Sequence, residues 1–214
     1  VTPIMASFVL ILFAFFGYKI YFTPVSMISI DINPSVELRI NRYNQIISVE
    51  GYNDDGRLLA DALEVKFMNY LDALNQILSD QSIQAYLSDD EQMSLTVAGK
   101  DQAQCSSILQ AIESFVSNHK NIHCHAGNAD EIHTAHALGM SFGKYQAFLV
   151  LQELEPSFTA DEVKDLSMKE IKAFIEKYSK TDESSPSDAT DTTEGSENQR
   201  QRHRHRYGQN RSEN

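Results

Sequence analysis

Residues 28–41 read I-S-I-D-I-N-P-S-V-E-L-R-I-N. Ile28, Ile30, Ile32, Val36, Leu38 and Ile40 share one parity; Ser29, Asp31, Asn33, Ser35, Glu37, Arg39 and Asn41 share the other. Period-two alternation of this kind is the pattern of a half-buried β-strand. Pro34 interrupts it, on the apolar parity. Proline cannot donate to a ladder and is confined to strand edges or bulges, so the strand is expected to kink or break at Asn33–Pro34.

The same dipeptide offers chemistry. The side-chain amide of Asn33 can attack its own backbone carbonyl, close a five-membered succinimide and expel the nitrogen of Pro34. A planar amide resists this, since rotating it costs roughly 18–20 kcal/mol. A fold that twists the bond would gain about tenfold in rate for each ~1.36 kcal/mol it removes from the barrier. Asn33 and Pro34 are therefore the candidate catalytic residues. Asp31 and Ser35 are candidate supporting residues, able to assist a water-mediated route. A bulge that bends an edge strand explains the dipeptide with no chemistry at all.

Upstream, Val1–Tyr18 carries no charge and is rich in Phe, Leu, Ile and Val; with Ile20, Tyr21 and Phe22 it makes an apolar stretch of about 20 residues, enough to cross a bilayer. Tyr18 and Tyr21 would sit at the headgroup level, and Lys19 can snorkel. A basic leader and a small-x-small cleavage site after Gly17 are both missing, which favours an uncleaved span over a signal peptide. The expected organisation is a transmembrane helix over 1–22, a tether over 23–28, a folded domain over 29–179 and a disordered polar tail over 180–214. The chain begins with Val and is read as a piece of a longer protein.

Downstream, Asn41–Asn44 has turn composition and Gln45–Val49 resumes strand residues, which predicts a hairpin. Gly51–Gly56 is a loop in which Asp54 or Asp55 would cap the next helix. Helices are expected over Leu58–Leu63 and Val65–Leu78, a short one through Ile83–Leu87, and a longer one from Asp101 to Asn118 whose face is Cys105, Ile108, Leu109, Ile112 and Val116. Met93–Val97 and Ile122–Ala126 alternate as strands. A helical region closes the domain. It is expected to break at Gly143-Lys144, and capping-box patterns stand at Thr159/Glu162 and Ser167/Glu170. This order predicts an α+β fold, a small antiparallel sheet with helices packed on one face.

The formal net charge of −12 argues against direct nucleic-acid binding. Gly143-Lys144 lacks the other residues of a phosphate loop. His119, His123, Cys124, His125, His133 and His136 cluster in sequence, but without a zinc pattern, so no metal and no cofactor are expected. Cys105 and Cys124 lie on inward faces of neighbouring elements; two buried thiols and a disulfide both fit. The tail carries Ser, Thr, Asp, Glu, Gly and Asn and then Arg200, Arg202, His203, Arg204, His205 and Arg206. It reads as a solvated terminus, or as an attachment point for an anionic cell-wall polymer.

Ser29–Gly56, S-I-D-I-N-P-S-V-E-L-R-I-N-R-Y-N-Q-I-I-S-V-E-G-Y-N-D-D-G, directly after an apolar span, resembles the juxtamembrane ectodomain of bacterial RsgI-like anti-sigma factors. D-I-N-P-S and the N-D-D-G after the hairpin carry the likeness, which extends to about Ser179. The resemblance implies a SEA-like autoproteolytic domain that cuts itself at Asn33–Pro34 while the pieces stay paired. It implies a sigma factor as partner, through a cytoplasmic domain upstream of Val1. It also implies membrane lipid around the span, an intramembrane protease that frees the sigma factor after the outer fragment leaves, and a single-pass cell-membrane location with the ectodomain extracytoplasmic. No carbohydrate-binding module is visible in the tail. The strand left on the span, Met27–Asn33, would be held by Ile28, Ile30 and Ile32 and would be the part that peels away. A non-cleaving membrane-anchored ectodomain and a wall-polymer binding module are the alternatives.

Overall fold

The computed structural model describes residues 3–88 and 91–182. The Arg/His tail, with its expected disorder and wall-polymer attachment, lies outside the described residues. Helix α1 (Pro3–Phe22) leads into strand β1 (Pro24–Asp31), β2 (Ser35–Asn41) and β3 (Ile46–Gly51). Three helices follow, α2 (Asp54–Ala62), α3 (Tyr70–Ser79) and α4 (Gln81–Ser88). Then come β4 (Met93–Gly99), α5 (Gln102–Phe115) and β5 (Ile122–Ala126). The chain continues through α6 (Ile132–Ala137), α7 (Phe142–Leu154), α8 (Ala160–Val163) and α9 (Met168–Asp182).

The fold is α+β, as the alternation predicted. The strands form one five-stranded sheet in the order β3-β2-β1-β4-β5. The stretch quoted first is not one kinked strand. It is a hairpin: β1 and β2 pair antiparallel from Ser26↔Ile40 to Asp31↔Ser35, and Ile32, Asn33 and Pro34 form its tip. A three-residue tip keeps both parities, which is why the sequence reads as a continuous alternation. The expected β2–β3 hairpin is present, with Asn44 at φ +61° in its turn.

Two features depart from expectation. The sheet is mixed, because β5 runs parallel to β4; α5 is the crossover that a parallel pair requires. Helices also cover both faces. Ile28, Ile30, Ile32, Val36, Leu38 and Ile40 bury one face beneath α2–α5 with Leu59, Leu74, Ile77, Ile83, Ile108 and Ile112. The opposite face carries Ser29, Asp31, Glu37 and Thr96, each at most 1% exposed, under the start of α7. Around that polar patch, Met27 and Ala98 join Phe142, Tyr145, Phe148, Leu151, Val163 and Ile171 in a second core. Alternation of polar residues announced a solvated face; the helix N-terminus that covers them leaves no periodicity signal in the strands.

Other local readings shift by a few residues. Asn53, not Asp54 or Asp55, caps α2, accepting the Gly56 N–H at 2.8 Å. Gly143-Lys144 is no break: both lie in the first turn of α7, and the chain turns earlier, at Gly139 with φ +73°. Glu162 and Glu170 accept from the backbone N–H of Thr159 and Ser167 at 2.9 and 2.8 Å, so both capping boxes form. Cys105 and Cys124 are free thiols.

Large apolar side chains of α1, among them Phe8, Leu10, Ile11, Phe13 and Phe16, are exposed. Among the described residues no helix is long and apolar enough to cross a membrane, and residues 1–2 of the expected span lie outside them.

Gly143 positions α7 on the sheet. A Cβ there would collide with Asp31 Oδ2 and press on Thr96 Oγ1 at 3.0 Å. Gly143→Ala is expected to cost about 1–3 kcal/mol through overpacking, measured by urea unfolding; unchanged stability would show that α7 sits more loosely than the fold requires.

Candidate functional site

The hairpin tip gathers the four residues singled out from the sequence. Asp31 and Ser35 face each other as the last pair of the β1–β2 ladder. Between them the Ile32 N–H donates to Pro34 O at 3.1 Å, closing the tip across the Asn33–Pro34 bond. Asn33 is held at φ +124°, a region that L residues rarely occupy. Such a conformation stores about 1–3 kcal/mol when neighbours enforce it.

The enforcing neighbour is Asn53, a residue the sequence reading passed over. Its Oδ1 accepts the Ser35 N–H at 3.0 Å and the Gly56 N–H at 2.8 Å. Its Nδ2 donates to Asn33 Oδ1 at 2.7 Å. One side chain therefore grips Asn33 on one side of the Asn33–Pro34 bond and Ser35, the residue after Pro34, on the other. The arrangement also fixes which way the Asn33 amide points. Asn53 Oδ1 already serves two N–H donors, so only Nδ2 remains to meet Asn33, and a donor must meet an oxygen. The nitrogen of Asn33 is thereby the end not committed to Asn53.

Backbone closes in around this grip. Tyr52 N–H donates to Ser35 O at 2.9 Å. Gly56 packs so tightly that a Cβ would collide with Ser35 O, which gives a physical reason for glycine at the end of N-D-D-G. Pro34 is buried, and a cavity of about 280 Å³ beside it is lined by Leu58, Leu59 and Tyr86.

Asp31 lies on the other side of the tip, fully buried. Ser29 Oγ donates to its Oδ2 at 2.8 Å, and Ser141 Oγ donates to its Oδ1. Gly143 N–H in turn donates to Ser29 Oγ at 3.1 Å. Burial pushes the Asp31 carboxyl above its ordinary value; the hydrogen bonds from Ser141 and Ser29 and the nearby Lys144 ammonium oppose the shift. Burial likewise lowers Lys144, whose Nζ donates to Lys164 O at 2.9 Å. Ser35 Oγ sits close enough to favour the charged form of Asp31, yet no group among the described residues meets hydrogen-bond geometry with it.

Among the described residues the histidines do not gather at a single point. His136 Nε2 lies 2.9 Å from the buried Glu37 and its ring stacks on Tyr52 at 4.9 Å. Glu37 also accepts the Phe142 N–H at 2.7 Å. His123 Nε2 meets Gln92 Oε1 at 2.8 Å, at the far edge of the sheet.

Comparisons with known proteins point one way. The family described as "Anti-sigma factor RsgI-like central domain" matches residues 25–150. Anti-sigma-I factor RsgI7 of Acetivibrio thermocellus is 29% identical over 180 residues, covering 80% of this chain and 33% of that protein. RsgI6 of the same organism is 26% identical over 165 residues, covering 69% of this chain and 22% of that protein. Anti-sigma-I factor RsgI of Bacillus anthracis is 30% identical over 76 residues, covering 35% and 17%. The chain thus spans a third or less of the length of these relatives.

Asp31 supplies a pH test. Its folded pKa is raised, so the native state holds the proton more tightly than the unfolded chain. The resulting stabilisation is fully present below the unfolded value, near pH 4, and is lost as pH rises through the folded value. The stability of the wild type relative to Asp31→Asn is therefore expected to rise as pH falls from neutral towards about 4. A difference that stays flat with pH would mean that Asp31 titrates as an ordinary exposed carboxylate.

Proposed function

The chain belongs to the family of RsgI-like anti-sigma factors, and on that premise we propose that its central domain cuts its own backbone at Asn33–Pro34 and keeps the two pieces together. The observation that carries the proposal is the Asn53 side chain bonded on both sides of an Asn-Pro linkage whose Asn33 is held at φ +124°. Asn33 Nδ2 attacks the Asn33 carbonyl carbon. A C–N bond forms in a five-membered ring, the C–N bond to Pro34 breaks, and the proton from Nδ2 ends on the Pro34 nitrogen. The products are a succinimide-ended first piece and a second piece beginning at Pro34.

The φ of +124° supplies about one to two decades of rate from its ~1–3 kcal/mol. Orientation supplies the larger share, because an amide whose oxygen is held by Asn53 is an intramolecular reactant that has already lost part of its rotational freedom. The cavity beside Pro34 leaves room for the new amine to move away.

Around this reaction the proposal places the protein's partners. In this reading the apolar segment over 1–22, two residues of which lie outside the described ones, is the anchor in the cell membrane, and the exposed apolar side chains of α1 are the part of it that would meet lipid. A single residue, Thr23, separates α1 from β1; with α1 as the anchor, the domain would stand close to the membrane, and we propose that it does so outside the cytoplasm. A domain upstream of Val1 holds the sigma factor. Removal of the Pro34–Asn214 piece leaves a membrane stub for an intramembrane protease, and the sigma factor is released.

Two experiments test this. Intact mass of the denatured wild-type chain is expected to show two pieces, the first lighter by one water than a hydrolysed Asn33 end. Asn33→Ala abolishes the cut, Pro34→Ala slows or abolishes it, and Asn53→Ala slows it by about tenfold or more. A fragment beginning at Pro34 from the Asn33→Ala protein would sink the succinimide route. Separately, Ile28, Ile30 and Ile32 are at most 1% exposed, and their burial contributes about 1.5–3 kcal/mol each to the hold on β1. Ile30→Asp in a cut protein is expected to shed the Pro34–Asn214 piece in mild denaturant that wild type withstands. Equal retention would show that β1 is not the clamp.

A further inference from the structure

A cleft of about 740 Å³ opens between β5 and α9, two strands across the sheet from β1. Lys120, Lys169 and Lys172 line it with His123 and His125. Among the described residues, two carboxylates stand beside these three lysines. Glu91 lies 3.7 Å from Lys169, and Glu176, which also lines the cleft, lies 3.9 Å from Lys180 outside it. An excess of cations in one cleft stands out in a chain of net charge −12.

Lys172 Nζ is the telling atom. It is buried, and among the described residues it has no hydrogen-bond partner. Burial alone lowers its pKa to about 8, and burial together with the Lys172 charge holds His123 and His125 below their ordinary values. An unpaired buried ammonium costs stability, and no partner among the described residues returns it. A bound anion would.

We propose that this cleft binds a phosphate-class polyanion. The lining has ammonium and imidazole groups and, among the described residues, no arginine. Ammonium groups act as point charges that suit a compact tetrahedral oxyanion, whereas planar carboxylates favour the guanidinium fork. The cleft has room for more than one phosphate.

On the membrane placement proposed above, register argues against a lipid headgroup as the source. His123 pairs with Ser94 and Ser94 pairs with Asp31, at the end of β1 remote from α1. Asp31 is five residue steps along β1 from Ser26, which places His123 roughly 17 Å beyond the start of the ladder. The anion comes from solution or from a polymer outside the bilayer.

The test uses the full chain in detergent micelles, titrated calorimetrically with inorganic phosphate, tripolyphosphate and a poly(glycerol phosphate) chain at low salt. Tripolyphosphate is expected to bind saturably, more tightly than inorganic phosphate, and to raise the midpoint of thermal unfolding. Lys172→Met is expected to weaken it by about tenfold or more and to cancel the thermal shift. His123→Gln, at the sheet edge, weakens it by about threefold and keeps the test open should the first variant fold poorly. Tighter binding of the polymer assigns the site to a phosphodiester chain, and tighter binding of tripolyphosphate to a free oligophosphate; either supports the proposal. Absence of saturable binding by all three probes, or affinities that both variants leave within about twofold of wild type, overturns it.

Discussion

Strand β1 is the constraint on which the rest of the molecule depends. It lies in the middle of the sheet, paired to β2 on one edge and to β4 on the other. Ile28, Ile30 and Ile32 fill the apolar core on one face; Ser29 and Asp31 are buried under α7 on the other. Every surface of this strand is used. Because β1 also follows directly from α1, the centre of the fold is its first folded segment after the helix. Everything after Asp31 assembles around it.

Burying the polar face creates a second obligation. Asp31 and Glu37 need donors, and the first turn of α7 supplies them: Ser141 Oγ to Asp31, Phe142 N–H to Glu37, Gly143 N–H to Ser29. A helix N-terminus carries unpaired N–H groups and a positive partial charge, so it is the covering element that two buried carboxylates favour. Met27 and Ala98 at the rim then extend the second core to α9. The same docking explains Gly143, since any Cβ would enter the space of the Asp31 carboxylate.

Much of this was legible in the sequence. The helix faces, the β2–β3 hairpin, both capping boxes and the bond at the tip followed from periodicity and residue type. What escaped did so for definite reasons. A three-residue tip preserves strand parity, so the β1–β2 hairpin imitates one long strand. Polar residues facing a helix N-terminus have the same pattern as polar residues facing water, so the second helical layer was invisible. Asn53 reads as one of several turn residues in G-Y-N-D-D-G; its role depends on the tip of another hairpin arriving 20 residues away in sequence, at 2.7 Å. The strand direction of β5 needed the crossover by α5, and alternation carries no direction.

The central position of β1 changes what a cut at Asn33–Pro34 would mean. A break in an ordinary loop frees whole elements, but a break at this tip removes no ladder pair, since Asp31↔Ser35 is the last one on either side. The sheet keeps its full pairing, and the piece on α1 becomes a strand inserted between two neighbours. An edge strand could peel one bond at a time. A central strand loaded along its axis from α1 places both ladders in shear, so many hydrogen bonds yield together or none do. Each contributes only about 0.5–1.5 kcal/mol net, but failing together they set a high barrier to separation. Release of the outer piece therefore calls for unfolding of its sheet around β1, not fraying of one strand. The interior placement of β1 is what would let a chain already cut behave as a continuous one until that unfolding occurs.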